Sequence, residues 1–150
     1  MDQYAQRLLD ALDAAVPVWV VAQVDRLVLA YRGTGDPAVH DDAVAAAERA
    51  RAEVTERLAQ LLATDIDAQR TNPLAIVRAA VRHPTEVLRR AGVPEVVRDE
   101  FAERHFPDDV YDLSPAAWRD LGEDVHEAGL AWGAWKAKQH LDRRRGEGRR

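Results

Sequence analysis

What most constrains this chain is the spacing of its β-branched and other apolar residues, which recur in steps of three and four and hardly ever alternate. Steps of three and four gather side chains on one face of a helix, whereas a half-buried strand needs a period of two. Val44, Ala47, Val54, Leu58, Leu61, Leu62 and Ile66 follow the helical rule in one run, and no Asn-Gly or Asp-Gly pair offers a hairpin turn. The expected fold is all-α: a compact bundle of about six to eight helices, with one long helix and several short ones opened by prolines.

A first helix is expected over Gln3 to Ala15, with Leu8, Leu9 and Leu12 on one side. Pro17 then fits the first turn of a second helix, Pro17 to Arg32, where its missing N–H costs nothing. Gly33 can take a left-handed cap, Asp36 can cap the next helix and Pro37 can open it, giving a third helix to about Gln69. Glu53 and Arg57 stand at ion-pair spacing on it. The apolar side of its first half, "DDAVAAAERARAEV", is nearly all alanine. So small a stripe packs only closely against another helix or projects into solvent, which leaves room for contact between copies of the chain. Pro73, Pro84, Pro94 and Pro115 each stand at the start of a short helix. In a last helix, Asp124 to Arg144, Gly129 and Gly133 share a face where another backbone can approach, with Trp132 and Trp135 beside it.

The 150 residues suit one domain, expected over residues 1–142, followed by a basic tail, 143–150, expected to be disordered. With 47% apolar and 31% charged residues the composition is that of a soluble globular protein. There is no cysteine, which excludes disulfides, thiol catalysis and thiolate zinc sites. The opening "MDQYAQRLLDALDAAV" lacks the basic-then-apolar order of a secretory signal. The apolar stretch from Ala14 to Ala22 falls short of the roughly 20 residues a bilayer span needs. A cytoplasmic protein without membrane contact is the expectation.

One stretch breaks the helical period: "RHFPDDVYDLSPAAW", Arg104 to Trp118. Its aspartates can hold a hard cation in principle. From Asp108, however, Leu113 stands where a calcium loop needs glycine and Arg119 where it needs glutamate. The letters suit a packed corner better: Asp112 or Ser114 capping a helix opened by Pro115, aromatic residues plugging the core, and Asp108 or Asp109 capping a turn or pairing with Arg78, Arg82, Arg89 or Arg90. As a surface, the loop offers Phe106, Asp108, Asp109, Tyr111, Asp112 and Trp118 to a partner. The five histidines, His40, His83, His105, His126 and His140, show no zinc-pair spacing. No nucleophile motif and no glycine-rich phosphate loop is present, so no catalytic residue, metal or cofactor is expected.

From Lys136 onward seven basic residues face two acidic ones on a chain whose net charge is −5. Arg143, Arg144, Arg145, Arg149 and Arg150 can neutralise phosphates or complement the dipole at a helix end.

The segment from Asp65 to Trp118, with "GLAWGAWKAKQH" behind it, resembles a family of small uncharacterised actinobacterial helical proteins. The words "RTNPL" and "FPDDVYDL" carry the likeness, which covers about the C-terminal half and implies no activity or ligand. The expectation is a non-enzymatic interaction domain, adaptor or regulatory, with an unknown protein partner or a second copy. One alternative is a small enzyme or ligand-binding protein with a pocket between the short helices, using His105, Asp108, Asp109 and an arginine such as Arg82. Another is a nucleic-acid accessory protein acting through the tail.

Overall fold

The structure, a computed structural model, describes residues 2–64, 72–96 and 109–148, with side chains to 146. Among these residues there is helix and no strand: α1 (Gln3–Arg32), α2 (Pro37–Leu62), α3 (Leu74–Ala79), α4 (Arg82–Arg90), a 3-10 turn (Trp118–Leu121) and α5 (Glu123–Gly148). The chain is all-α, as the apolar spacing predicts. These residues hold fewer α-helices than the six to eight expected, and the reason begins at Pro17.

Pro17 does not open a second helix; it lies inside α1, which runs unbroken through thirty residues. An interior proline costs a helix about 3 kcal/mol. Against that stands one apolar stripe that crosses the proline without a gap: Leu8, Leu12, Val16, Val20, Val24 and Val28, each at most 2% exposed. Burying a side chain of this kind contributes about 1.5–3 kcal/mol, so the valines beyond Pro17 outweigh the break. A strict step of four also overshoots a helical turn, so the stripe winds around α1. Its first part faces a core shared with α5 and the C-terminal half of α2, and Val24 and Val28 face a second core shared with α4 and the 109–117 loop. The unbroken α1 is long and apolar enough to cross a membrane by length and composition alone, with a mean hydropathy of 1.4 over its most apolar 18 residues. The apolar stretch Ala14 to Ala22 lies in the middle of it, and one side of the helix lines both cores.

Helix α1 opens on Asp2, whose carboxylate accepts the Ala5 N–H at 2.8 Å, and closes on Gly33 at φ 74. Asp36 then caps α2 through the N–H groups of Ala38 and Val39, with Pro37 behind it. The two helices return antiparallel. Ala43, Ala46, Ala47 and Ala50 are buried, and the small stripe is consumed in close packing within the chain rather than offered to a second copy. Polar ties run along the seam: His40 Nδ1 lies 2.8 Å from Asp25, and Asp13 accepts from Arg51 and Thr55, each at 2.8 Å. α2 ends at Leu62 and closes on Ala63; residues 65–71, part of the longer helix expected, lie outside the described residues.

Of the expected proline-opened helices that fall on described residues, only α3 starts directly after its proline, Pro73. Pro84 sits in the first turn of α4, and the helix expected to open at Pro94 runs into residues 97–108, which lie outside the described residues. Pro115 leads into a link before the 3-10 turn rather than an α-helix. α5 packs its first half on α1, where the Tyr4 and Trp135 rings meet at 5.6 Å, and runs on as helix through 143–148, where a disordered tail was expected.

Candidate functional site

The aperiodic loop is a packed corner over the residues described. Tyr111 and Leu113 are buried, and the Tyr111 hydroxyl donates to the Val93 carbonyl at 2.6 Å. Burial, helped by the nearby Glu95 carboxylate, pushes the Tyr111 phenol above its usual range. Asp109 is 3% exposed; one of its oxygens, Oδ2, accepts the Ser114 N–H and closes the turn, while Oδ1 is buried with no hydrogen-bond partner. Asp112 points outward from a left-handed backbone at φ 57. Neither Asp112 nor Ser114 caps the following element: Asp120 does, accepting from Ala116 and Ala117 at 2.8 and 3.1 Å. An arginine does meet this loop, but at its backbone, since Arg78 donates to the carbonyls of Pro115 and Ala116.

Of the six residues expected to face a partner, Asp109 and Tyr111 are therefore inside and Trp118 is half-buried. Asp112 is exposed, and Phe106 and Asp108 lie outside the described residues, as does His105. Trp118 explains one of the two glycines. A methyl group at Gly129 would come within 2.5 Å of the indole Cδ1, so Gly129 is the seat of that ring. Gly133 faces open space, and the expected two-glycine groove is not formed. Trp132 is buried with its Nε1 unpartnered. In the tail, Arg143, Arg144 and Arg145 are exposed on the last turns of α5; Arg149 and Arg150 lie outside the described residues.

The concentration of charge lies elsewhere. A cavity of about 920 Å³ opens between α2, α3, α4 and the start of the loop. Five arginines line it, Arg49, Arg78, Arg82, Arg89 and Arg90, together with His83, Glu86 and Asp109. α4 places Arg82, Glu86, Arg89 and Arg90 at helical spacing on one side, and α2 adds Arg49 from the other. The groove is braced from below by Glu53 of α2, whose side chain is only 15% exposed. Its carboxylate meets Arg82 Nη1 at 2.6 Å, His83 Nε2 at 2.7 Å and Arg57 at 3.5 Å. Burial pushes the Glu53 carboxyl up, but the hydrogen bonds from His83 and Arg82 outweigh it and hold the group below its ordinary range. On the rim Arg90 pairs with Glu86 at 3.2 Å and Arg89 with Glu95 at 3.6 Å. Among the described residues Arg49 has no hydrogen-bond or ion-pair partner. The arrangement can hold an anion, because guanidinium groups present forked donors that match carboxylate and phosphate oxygens.

The sequence put Arg78, Arg82, Arg89 and Arg90 near the loop but missed Arg49 and Glu53, which come from a distant part of the chain. No local spacing joins α2 to α4. Among the described residues no group of three or more histidine, aspartate or glutamate side chains could hold a metal ion. The fold thus defines an all-α protein with an arginine-lined groove. Set against models of known protein families, curated proteins and solved structures, the chain matches none of them.

Proposed function

We propose that this is a non-enzymatic binding module that takes an anionic ligand in the groove between α2, α3 and α4. The observation that carries the reading is the convergence of five guanidinium groups on one cavity, with Arg49 uncommitted to any carboxylate. The groove is concave and of small-molecule scale, and it is set on helices rather than on a loose loop. The loop closes one wall of the groove with Asp109 and Ser114, and Tyr111, buried behind it, fixes its shape. Titration with inorganic phosphate tests the proposal, since a ligand at a hundred times its Kd raises stability by about 2.7 kcal/mol. The midpoint of thermal unfolding should rise with phosphate, and an Arg49→Ala/Arg89→Ala variant should lose the rise. A flat midpoint in the intact chain would sink it.

A second reading rests on α5, where Arg143, Arg144 and Arg145 stand exposed and, among the described side chains, none from Gly133 to Gly146 is buried. Such a cationic arm supports sequence-blind contact with a polyanion, nucleic acid included. That contact should fall steeply with salt and vanish in a chain truncated after Leu141; binding that survives truncation removes the arm from the account.

A further inference from the structure

We infer that the groove's ligand is a two-ended small molecule, a phosphate ester that carries an ammonium group a few bonds away. The inference rests on the anion-binding reading above and deepens it through a residue that reading does not use. Asp109 lines the same cavity as the arginines, yet none of them bonds to its Oδ1. Its one side-chain hydrogen bond comes from a neutral group, the Ser114 N–H, on the other oxygen. A buried carboxylate oxygen left unpaired is costly, and such groups nearly always have a partner in the working state of a protein.

Four of the cavity's five arginines are committed elsewhere, Arg78 to the carbonyls of Pro115 and Ala116, Arg82 to Glu53, Arg89 to Glu95 and Arg90 to Glu86, and the fifth, Arg49, leaves Asp109 Oδ1 without a partner. A ligand that satisfies the whole site therefore brings oxygens for the guanidinium rim and a cationic donor for Asp109. Of simple donors, an ammonium suits Asp109 best, because it supplies charge as well as a hydrogen bond. Oδ1 is shielded from water, so the ammonium reaches it only as rim side chains give way. Arg89 and Arg90 line the same cavity with 52% and 71% of their side chains exposed, which leaves them room to move.

Calorimetric titration of the full chain with inorganic phosphate, ethyl phosphate and O-phosphoethanolamine decides the matter. The last two differ in the ammonium alone. O-phosphoethanolamine should bind on the order of tenfold to a hundredfold more tightly than ethyl phosphate, the range of a charge-assisted hydrogen bond. Asp109→Asn keeps an acceptor for Ser114 but turns a donor toward the ligand, so it should erase that advantage, bringing the affinity ratio of the two esters toward one. Equal affinity of the intact chain for ethyl phosphate and O-phosphoethanolamine would overturn the inference while leaving the anion groove standing. Failure of all three probes to bind would remove both. If Asp109→Asn does not fold, the ratio measured on the intact chain still decides.

Discussion

The α1–α2 hairpin and the half built from α3, α4 and the 109–117 loop share two apolar cores but differ in what they add to them. The hairpin is long and apolar: a stripe of leucines and valines from α1 lies against buried alanines and leucines of α2, and its polar ties sit at the edge of the seam. The other half consists of helices of six and nine residues, too short to persist alone in water. Its buried residues, among them Val77, Val87, Leu88 and Tyr111, join the same two cores, and side chains that bond to backbone carbonyls and guanidinium–carboxylate pairs add to that packing. The first is a platform, and the second is a surface whose charges can exchange partners. Binding sites are commonly drawn from such less rigidly packed regions set on a firm base.

Fully buried leucines in each half offer the largest test. Leu12 and Leu88 are both 0% exposed, and Leu→Ala in a core costs about 2–5 kcal/mol depending on how far the surroundings collapse into the space. Leu12→Ala should fall near the top of that range, between two long helices that cannot close the gap, and Leu88→Ala near the bottom. Denaturant unfolding of both variants measures this. Equal costs would mean that the short-helix half is packed as tightly as the hairpin.

Glu53 is where the halves meet, an α2 carboxylate holding Arg82 and His83 of α4. Glu53→Gln should cost about 1–3 kcal/mol at neutral pH, less than a fully buried ion pair because the site is partly open. The pH dependence has a definite sign. A carboxyl whose pKa is lowered on folding stabilises the folded state fully above its unfolded pKa, about 4.3, and that contribution fades as pH falls through the lower folded value. Acid unfolding of the variant should lack this component. An unchanged acid profile would show that α4 is not held through Glu53.

The two glycines of α5 sharpen the contrast on a single helix. Gly129→Ala drives a methyl into the Trp118 ring and should cost about 1–3 kcal/mol as the indole is displaced. Gly133→Ala meets open space and should stabilise by up to about 1 kcal/mol, the helix-propensity difference. Melting temperatures should move in opposite directions. A smaller loss, about 0.5–1.5 kcal/mol, is expected of Tyr111→Phe, which removes the hydrogen bond to Val93 and leaves the ring in place.

Helices, caps and the alanine seam were readable from sequence because each is a local matter: Asp36 before Pro37, Gly33 after Arg32, apolar steps of three and four. Pro17 was misread because the break it signals is local while the stripe that overrides it gains its energy from distant helices. The same limit hid the groove. Arg49 and Glu53 look like ordinary solvated charges on α2, and only the return of the chain through α4 sets them beside Arg82 and His83. The loop allowed two readings in the sequence, a packed corner, which its letters suited better, and a partner surface; over the described residues its acidic and aromatic side chains close a turn and fill a core.

Asp112 isolates that last point with the smallest effect. It is exposed, its φ of 57 lies where aspartate is tolerated and glycine is at ease, and its own N–H reaches back to the Asp109 carbonyl at 3.3 Å. Asp112→Gly relieves mild backbone strain and raises the entropy of the unfolded chain, two effects of opposite sign, so stability should change by less than about 0.5 kcal/mol. Asp112→Val, which puts a β-branched residue into the left-handed region, should cost about 1–2 kcal/mol. If the corner matters only for its shape, phosphate affinity should be the same in the glycine variant and the intact chain. If affinity changes while stability holds, the charge of the exposed carboxylate acts on the groove, and the loop's part in binding extends from Asp109 to this residue.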